Sequence, residues 1–279
     1  MPIDLIANVV VAGILTGMVY GLMALGLSVI FGVVRVVNFA HGEMMTIAMY
    51  AAVVLFAQWQ VDPFVAVIPV ALLFFAFGYA MQAALINPFI TRPEHSQFML
   101  LVAVAIIMIN VLLMVFGPSA RNVMVDYQLE SFELGVLLLD KARVYAALAA
   151  VATAAALFAF FRYTLVGKAI RACADNHLGA RVVGLDVKRY YALTFGLGSA
   201  CVAVAGCLMV LLVDVTPVLG PAYTLLAFVI VIVGGLGSMG GALLGGILIG
   251  LSEALAGLFI APSAKSMFSF ALLIAVLLL

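Results

Sequence analysis

Seven long apolar runs decide what this chain can fold into. They fall near 6–34, 40–58, 63–90, 98–116, 142–161, 190–213 and 222–260, and a helix needs about 20 apolar residues to cross the hydrocarbon core of a bilayer. The last run is too long for one crossing. It is interrupted by GGLGSMGG, Gly234 to Gly241, which reads as a break between two helical pieces. A final run, Ser266 to Leu279, is shorter. The expected fold is all-α: a polytopic transmembrane helical bundle of about eight membrane segments, with broken or re-entrant helices, forming one domain over 1–279. Composition agrees, since 68% of residues are hydrophobic and 9% charged, where soluble domains are about a quarter charged.

Formal net charge is zero, and with no basic tail or acidic run nothing points to nucleic acid as a partner. Membrane lipid is the expected surrounding. Six of the twelve lysines and arginines lie between Arg162 and Arg189, and short cytoplasmic loops are the ones enriched in these residues. That loop is therefore placed inside. Counting runs backward puts Arg92 and Arg35 inside too, and the segment Gly117 to Lys141 outside with the N-terminus. MPIDLIANVV lacks the basic start and small-residue cleavage site of a secretory signal, so the first run is expected to stay as a membrane helix.

Motifs for covalent chemistry are missing. There is no H-E-x-x-H and no G-x-S-x-G, and the three histidines, His41, His95 and His177, fall at or beyond run ends. An intramembrane enzyme would need a nucleophile and base, or metal ligands, on facing helices. Cys173, Cys201 and Cys207 form no ligand cluster, so neither zinc nor a disulfide is expected. The sequence has no G-x-x-x-x-G-K-[ST] phosphate loop, and its one Gly-Lys pair, Gly167-Lys168, is followed by Ala169. GLGSMG, Gly235 to Gly240, matches the dinucleotide fingerprint G-x-G-x-x-G but lacks the strand and βαβ unit that motif requires. Gly234, Gly235, Gly237 and Gly240 read instead as broken-helix glycines, tolerated in membranes where backbone is buried in protein or lines a cavity.

Polar groups inside apolar runs are costly and usually face a cavity or a partner. VVNFAHGEMM holds Asn38, His41 and Glu43 at the start of the second run. One reading is a capped helix at the cytoplasmic interface, with Asn38 as N-cap and Glu43 in the first turn. The other is a bent or re-entrant helix start lining a solute path. Glu253, in LSEAL, is either part of that path or a hydrogen-bonded structural carboxylate. Asn110 is expected to bond across helices, and Asp214 to lie in an external loop. Gly13, Gly17 and Gly21 recur every four residues, as do Ala242, Gly246, Gly250 and Ala254, giving faces on which helices approach closely. The first stripe is expected to pack within the chain; the second either within the chain or against a partner subunit.

The loop 162–190 reads as an Ala-rich helix, Lys168 to His177, followed by a turn near Gly184. It is either a solvated loop made basic by topology or a docking helix for a cytoplasmic partner. GKAIRACADNHLGARVVGLDVKRYYALTFGLGSACVAVAG resembles the coupling region of the inner-membrane permeases of branched-chain amino acid ABC transporters. GLMALGLSVIFGVVRVVNFAHGEMMTIAMY resembles that family's N-terminal signature, and VIVGGLGSMGGALLGGILIG its late glycine-rich segment. The resemblance implies a permease that pairs with a homologous second permease, docks two ATP-hydrolysing subunits, and receives solute from a periplasmic binding protein at the bacterial inner (plasma) membrane. It implies no cofactor on this chain, with ATP and Mg on the partner subunits. It also implies that Gly167, Lys168, Ala169, Arg171, Ala172, Asp175 and Asn176 contact an ATP-hydrolysing subunit, with Gly184 turning the chain back to the membrane. Branched-chain amino acids are the expected solutes; amides, urea or other small solutes, and a stand-alone secondary transporter, are the alternatives. Members of that family continue into a short basic tail, so the stop at Leu279 leaves that tail either absent or cut off.

Overall fold

The computed structural model describes residues 3–135, 137–260 and 265–278; Leu279, where the last apolar run ends, lies outside them. Among these residues eleven α-helices follow in chain order: α1 (Ile3–Val34), α2 (His41–Trp59), α3 (Pro63–Met81), α4 (Glu94–Phe116), α5 (Lys141–Tyr163), α6 (Leu165–Asp175), α7 (His177–Val182), α8 (Val187–Met209), α9 (Gly220–Gly234), α10 (Met239–Phe259) and α11 (Lys265–Leu278). Seven are long and apolar enough to cross a membrane: α1, α2, α3, α4, α5, α8 and α10. The long run 222–260 is indeed two helices, α9 and α10, joined by a turn in which Gly235 and Gly237 take φ values of 92° and 79°. Residues with a Cβ rarely adopt that left-handed backbone.

Helix starts follow local chemistry. Asp62 accepts from the Phe64 amide at 2.8 Å ahead of Pro63, Asp140 accepts from Ala142 at 2.9 Å, and Ser238 from Gly241 at 3.1 Å. Each satisfies an amide that the helix itself leaves without a partner. One departure from an all-helical chain among the described residues lies between α4 and α5, where β1 (Ser131–Leu134) pairs antiparallel with β2 (Leu137–Asp140).

Loops sort into two ends. At one end Tyr127 reaches Asp62, Gln128 reaches the Leu211 carbonyl, Arg121 and Val215 bridge, and the Leu138 amide donates to Asn8. At the other, Asn87 donates to the Lys188 carbonyl at 3.3 Å and Gly32 packs on Gly237. This second end carries eight of the twelve lysines and arginines.

Helices α1 and α8 form the centre, with 78% and 83% of their apolar windows buried, against 22% for α4 and 28% for α3. Small residues allow that density. A Cβ on Gly17 would meet the Gly246 carbonyl at 2.7 Å, and one on Gly13 would meet the Ala254 Cβ at 2.7 Å. The two small-residue stripes therefore pack on each other, α1 against α10, which places the second stripe within the chain.

Candidate functional site

Three features bear on function: a buried polar turn, a cavity near one end, and a helical arm at the other. The turn begins where α1 stops. Arg35 takes a left-handed φ of 59°, and residues 36–40 fold back along α1. His41 Nε2 lies 3.0 Å from the Met23 carbonyl. Met23 is eleven residues before Val34, or about 16 Å at about 1.5 Å rise per residue. Helix α2 thus starts beside the middle of α1. His41 is the first residue of α2, at a run end as expected, but that end lies alongside α1 and is buried in the bundle.

Asn38 is not the N-cap. Ala40 holds that position without a side-chain cap, and Asn38 Oδ1 accepts from the Ala40 amide at 3.1 Å. The cap comes from a distant helix. Thr224 Oγ1 accepts from the Gly42 amide at 2.9 Å, and its proton points to Glu43 Oε2 at 3.1 Å or the Phe39 carbonyl at 3.3 Å. Asn38 and His41 are fully buried and Glu43 is 2% exposed. A Cβ on Gly42 would lie 2.0 Å from the Gly220 carbonyl, so the N-terminal turns of α2 and α9 touch backbone to backbone. Thr224 escaped sequence reading because it is one hydroxyl in the apolar run YTLLAFVIVIV; nothing local marks it.

Glu253 sits apart from that turn. Ser269 of α11 donates to its Oε1 at 2.8 Å, and Tyr20 and Tyr223 lie beside it. It lines a cavity of about 430 Å³ with Arg143, Tyr20 and Thr16. Asn110 bonds its own helix, at the Ile106 carbonyl 2.7 Å away, rather than a neighbour. Asp214 is exposed after α8.

The arm is α6 and α7. The expected single helix from Lys168 to His177 is two, because Asn176 leaves helical geometry and caps α7 through the Gly179 amide at 2.9 Å. Gly167, Ile170 and Cys173 face inward, and burial pushes the Cys173 thiol up from its ordinary pKa. A Cβ on Gly167 would lie 2.4 Å from the Phe160 carbonyl, so α6 is pressed against the end of α5. Lys168, Arg171, Ala172, Asp175 and Asn176 are exposed, and Ala169 is half-buried. Gly184 ends α7 with φ 87°. Leu165, Leu178, Val182 and Val183 are 62–87% exposed, an apolar set that the sequence reading passed over although VV inside a basic loop signals it. Among the described residues no three His, Cys, Asp or Glu side chains group as metal ligands, and the cysteines are free.

A bundle of membrane-length helices, with the shorter apolar α9 meeting the buried start of α2 inside it, defines a multi-pass membrane protein. The chain belongs to the permease-component family of the branched-chain amino acid transport system, whose family model matches residues 9–277. It is similar to the high-affinity branched-chain amino acid transport system permease protein LivH of Escherichia coli K12, at 30% identity covering 95% of this chain and 91% of that one. BraD of Pseudomonas aeruginosa, a permease protein of the same description, is 28% identical over 96% of this chain and 92% of its own. A probable LivH of Methanocaldococcus jannaschii is 27% identical over 87% and 78%. As a permease component it is a transport subunit and not itself a catalytic enzyme.

Proposed function

We propose that this chain is the membrane permease of an ATP-driven importer of branched-chain, aliphatic amino acids in the bacterial inner membrane. It pairs with a second, homologous permease and docks two ATP-hydrolysing subunits at its basic end. A periplasmic binding protein delivers solute at the end carrying the β-hairpin. ATP and Mg belong to the docked subunits.

The α6–α7 arm carries this reading. Its outward face combines the charges of Lys168, Arg171 and Asp175 with the exposed Leu178, Val182 and Val183, the mixture of apolar anchors and polar rim that a protein partner covers. Its inward face is held on α5 through Gly167 and contacts α1 and α8. A movement imposed on the arm is therefore passed to the central helices. Asn38, His41 and Glu43, closed by Thr224, act as the inner closure of the solute path and part during each cycle, when their polar groups meet the passing head group. Gly234, Gly235 and Gly237 shape the hairpin on which α9 turns; Gly240 follows in the first turn of α10.

The test is ATP hydrolysis in proteoliposomes holding both permeases, the ATP-hydrolysing subunits and the binding protein. Stimulation by leucine, isoleucine or valine, lost when Arg171 to Asn176 is disrupted, is the expected result. Stimulation by another solute alone would replace the substrate, and failure of the subunits to assemble would overturn the function.

A further inference from the structure

Helices α1–α4 and α8–α11, joined by α5, α6 and α7, repeat one packing pattern in opposite directions. Helix α10 lies along α1 and α3 along α8, the two most extensive helix seams in the molecule; α2 packs on α8 as α9 packs on α1, and α4 packs on α2 as α11 packs on α9. The two central helices cross at reciprocal glycines. A Cβ on Gly26 would lie 2.6 Å from the Gly198 carbonyl, and one on Gly198 would lie 2.7 Å from the Gly26 carbonyl. Directions are inverted, since α1 ends and α8 begins at the basic end, beside Gly237 and Asn87. Each central helix is followed by a stretch outside helical structure, 35–40 after α1 and 214–219 ahead of α9, and then by a shorter helix. Both shorter helices carry G-x-x-x-T at their starts, Gly42 to Thr46 and Gly220 to Thr224. Both threonines are buried, and the two starts touch at Gly42 and Gly220. In transporters built of inverted repeats the solute site lies at the repeat interface, where interrupted helices meet.

We infer that these two sets of helices are inverted repeats, and that the stretch 214–219 is the outer closure of the solute path, the counterpart of the turn 35–40. The inference rests on the proposed importer function and extends it: Asn38, His41 and Glu43 close the basic end, and the repeat supplies the closure at the hairpin end. Register from the shared glycine makes Thr216 the equivalent of Asn38 and Leu219 the equivalent of His41. Backbone ties in the stretch are few: the Arg121–Val215 bridge, with bonds of 2.9 and 2.8 Å, and the Leu219 amide donating to the Thr216 carbonyl at 3.2 Å. Residues inside a helix each carry a ladder bond, so 214–219 opens at lower cost than the helices beside it. Val215 is fully buried, and Thr216 and Leu219 are half-buried. A shift of this stretch exposes the Gly42–Gly220 contact from the hairpin end, as a shift of 35–40 does from the basic end. Import without a leak then requires the two to open in alternation.

The test uses the complex of both permeases and the ATP-hydrolysing subunits in lipid nanodiscs, which leave both faces open to reagent. This chain carries one cysteine, from Val37→Cys in the inner stretch or from Thr216→Cys or Leu219→Cys in the outer one, with Cys173, Cys201 and Cys207 replaced by alanine. Labelling by a charged methanethiosulfonate is read on this chain by mass spectrometry, without nucleotide and after trapping with ATP and vanadate. A minor conformation is populated at about 0.1–10%, so trapping it is expected to change labelling at least about tenfold, with the outer positions and Val37→Cys moving in opposite directions. Hydrogen exchange of the unsubstituted complex, over peptides covering 35–40 and 214–219, is expected to change in the same opposed sense and needs no substitution. Outer positions that stay constant, or that move together with the inner stretch, overturn the inference. The importer function is read separately, by leucine-stimulated ATP hydrolysis of the unsubstituted complex with binding protein. Absence of stimulation overturns the function; stimulation with constant labelling and exchange at 214–219 overturns the outer closure alone.

Discussion

Alanine at Gly246 tests the seam that holds the bundle together. The added Cβ would lie 2.3 Å from Gly21 Cα, 2.3 Å from Gly21 N and 2.7 Å from the Gly17 carbonyl. All three are backbone atoms, so no side-chain rotation relieves the overlap. Carbon contacts settle at about 3.5–4.0 Å, so α1 and α10 must separate by about 1 Å, a gap that forfeits about a quarter to a half of each dispersion contact along the seam. In lipid no hydrophobic force pulls helices together, and packing carries their association. The expected cost is about 1–3 kcal/mol. Gly240, in the same helix, is the control: nothing lies within 4 Å of its Cβ position, and replacing a helical glycine by alanine gains about 0.5–1 kcal/mol. Thermal unfolding of the purified protein in detergent reads both. A melting temperature several degrees lower for Gly246→Ala, and unchanged or higher for Gly240→Ala, is expected. Equal melting temperatures for the two would refute the packing argument.

Thr224→Val keeps the shape but strips the Gly42 amide and the Glu43 carboxylate of a partner; leaving a buried polar group unsatisfied costs about 1–3 kcal/mol, and leucine uptake should fall while Thr224→Ser retains it. Gly167→Ala pushes α6 off Phe160 and Phe161, so leucine-stimulated ATP hydrolysis should drop while subunit assembly, followed by co-purification, persists. Glu43→Gln and Asn38→Ala should each lower the maximal uptake rate; an unchanged rate in both would remove these residues from the path. Tyr127→Phe deletes a hydroxyl 2.9 Å from Asp62 Oδ2. Burial, then the Asp62 hydrogen bond, raises the Tyr127 pKa in the folded state. Its stabilising contribution is thus fully present below about pH 10, the unfolded value, and is lost as pH rises beyond it. Chemical denaturation at pH 8 and above 10 should show that loss in the wild type and not in Tyr127→Phe.

The membrane helices and the break at Gly234 to Gly241 were readable because length and apolarity are local properties. So were the small-residue stripes on α1 and α10. That the stripes face each other was not, because Gly17 and Gly246 meet only in three dimensions. Depth was the hardest quantity to read. Asn38, His41 and Glu43 follow Arg35 and precede an apolar run, a pattern that a capped interfacial helix and a re-entrant start share. The contacts of His41 with Met23 and of Gly42 with Thr224 show the stretch to be buried, which its order in the chain does not. Thr224 had no local signal at all, and its role arises across about 180 residues of chain. In the arm, the break at Asn176 hinges on a cap that competes with a continuous helix, and Asn at that position serves either outcome.

Helix α1 has one further consequence. It runs unbroken and without proline through 32 residues, about 48 Å at about 1.5 Å per residue, well beyond the ~30 Å hydrocarbon thickness of a bilayer. One stiff rod therefore touches the cavity at Tyr20, the closure at Met23 and the α6 arm. A rod does not stretch or compress appreciably, so a tilt imposed at the arm must reappear, with its sense reversed about the tightly packed glycine seam, at the opposite face. On the proposed coupling, communication between the two faces is then a matter of leverage, with the seam between α1 and α10 as its fulcrum.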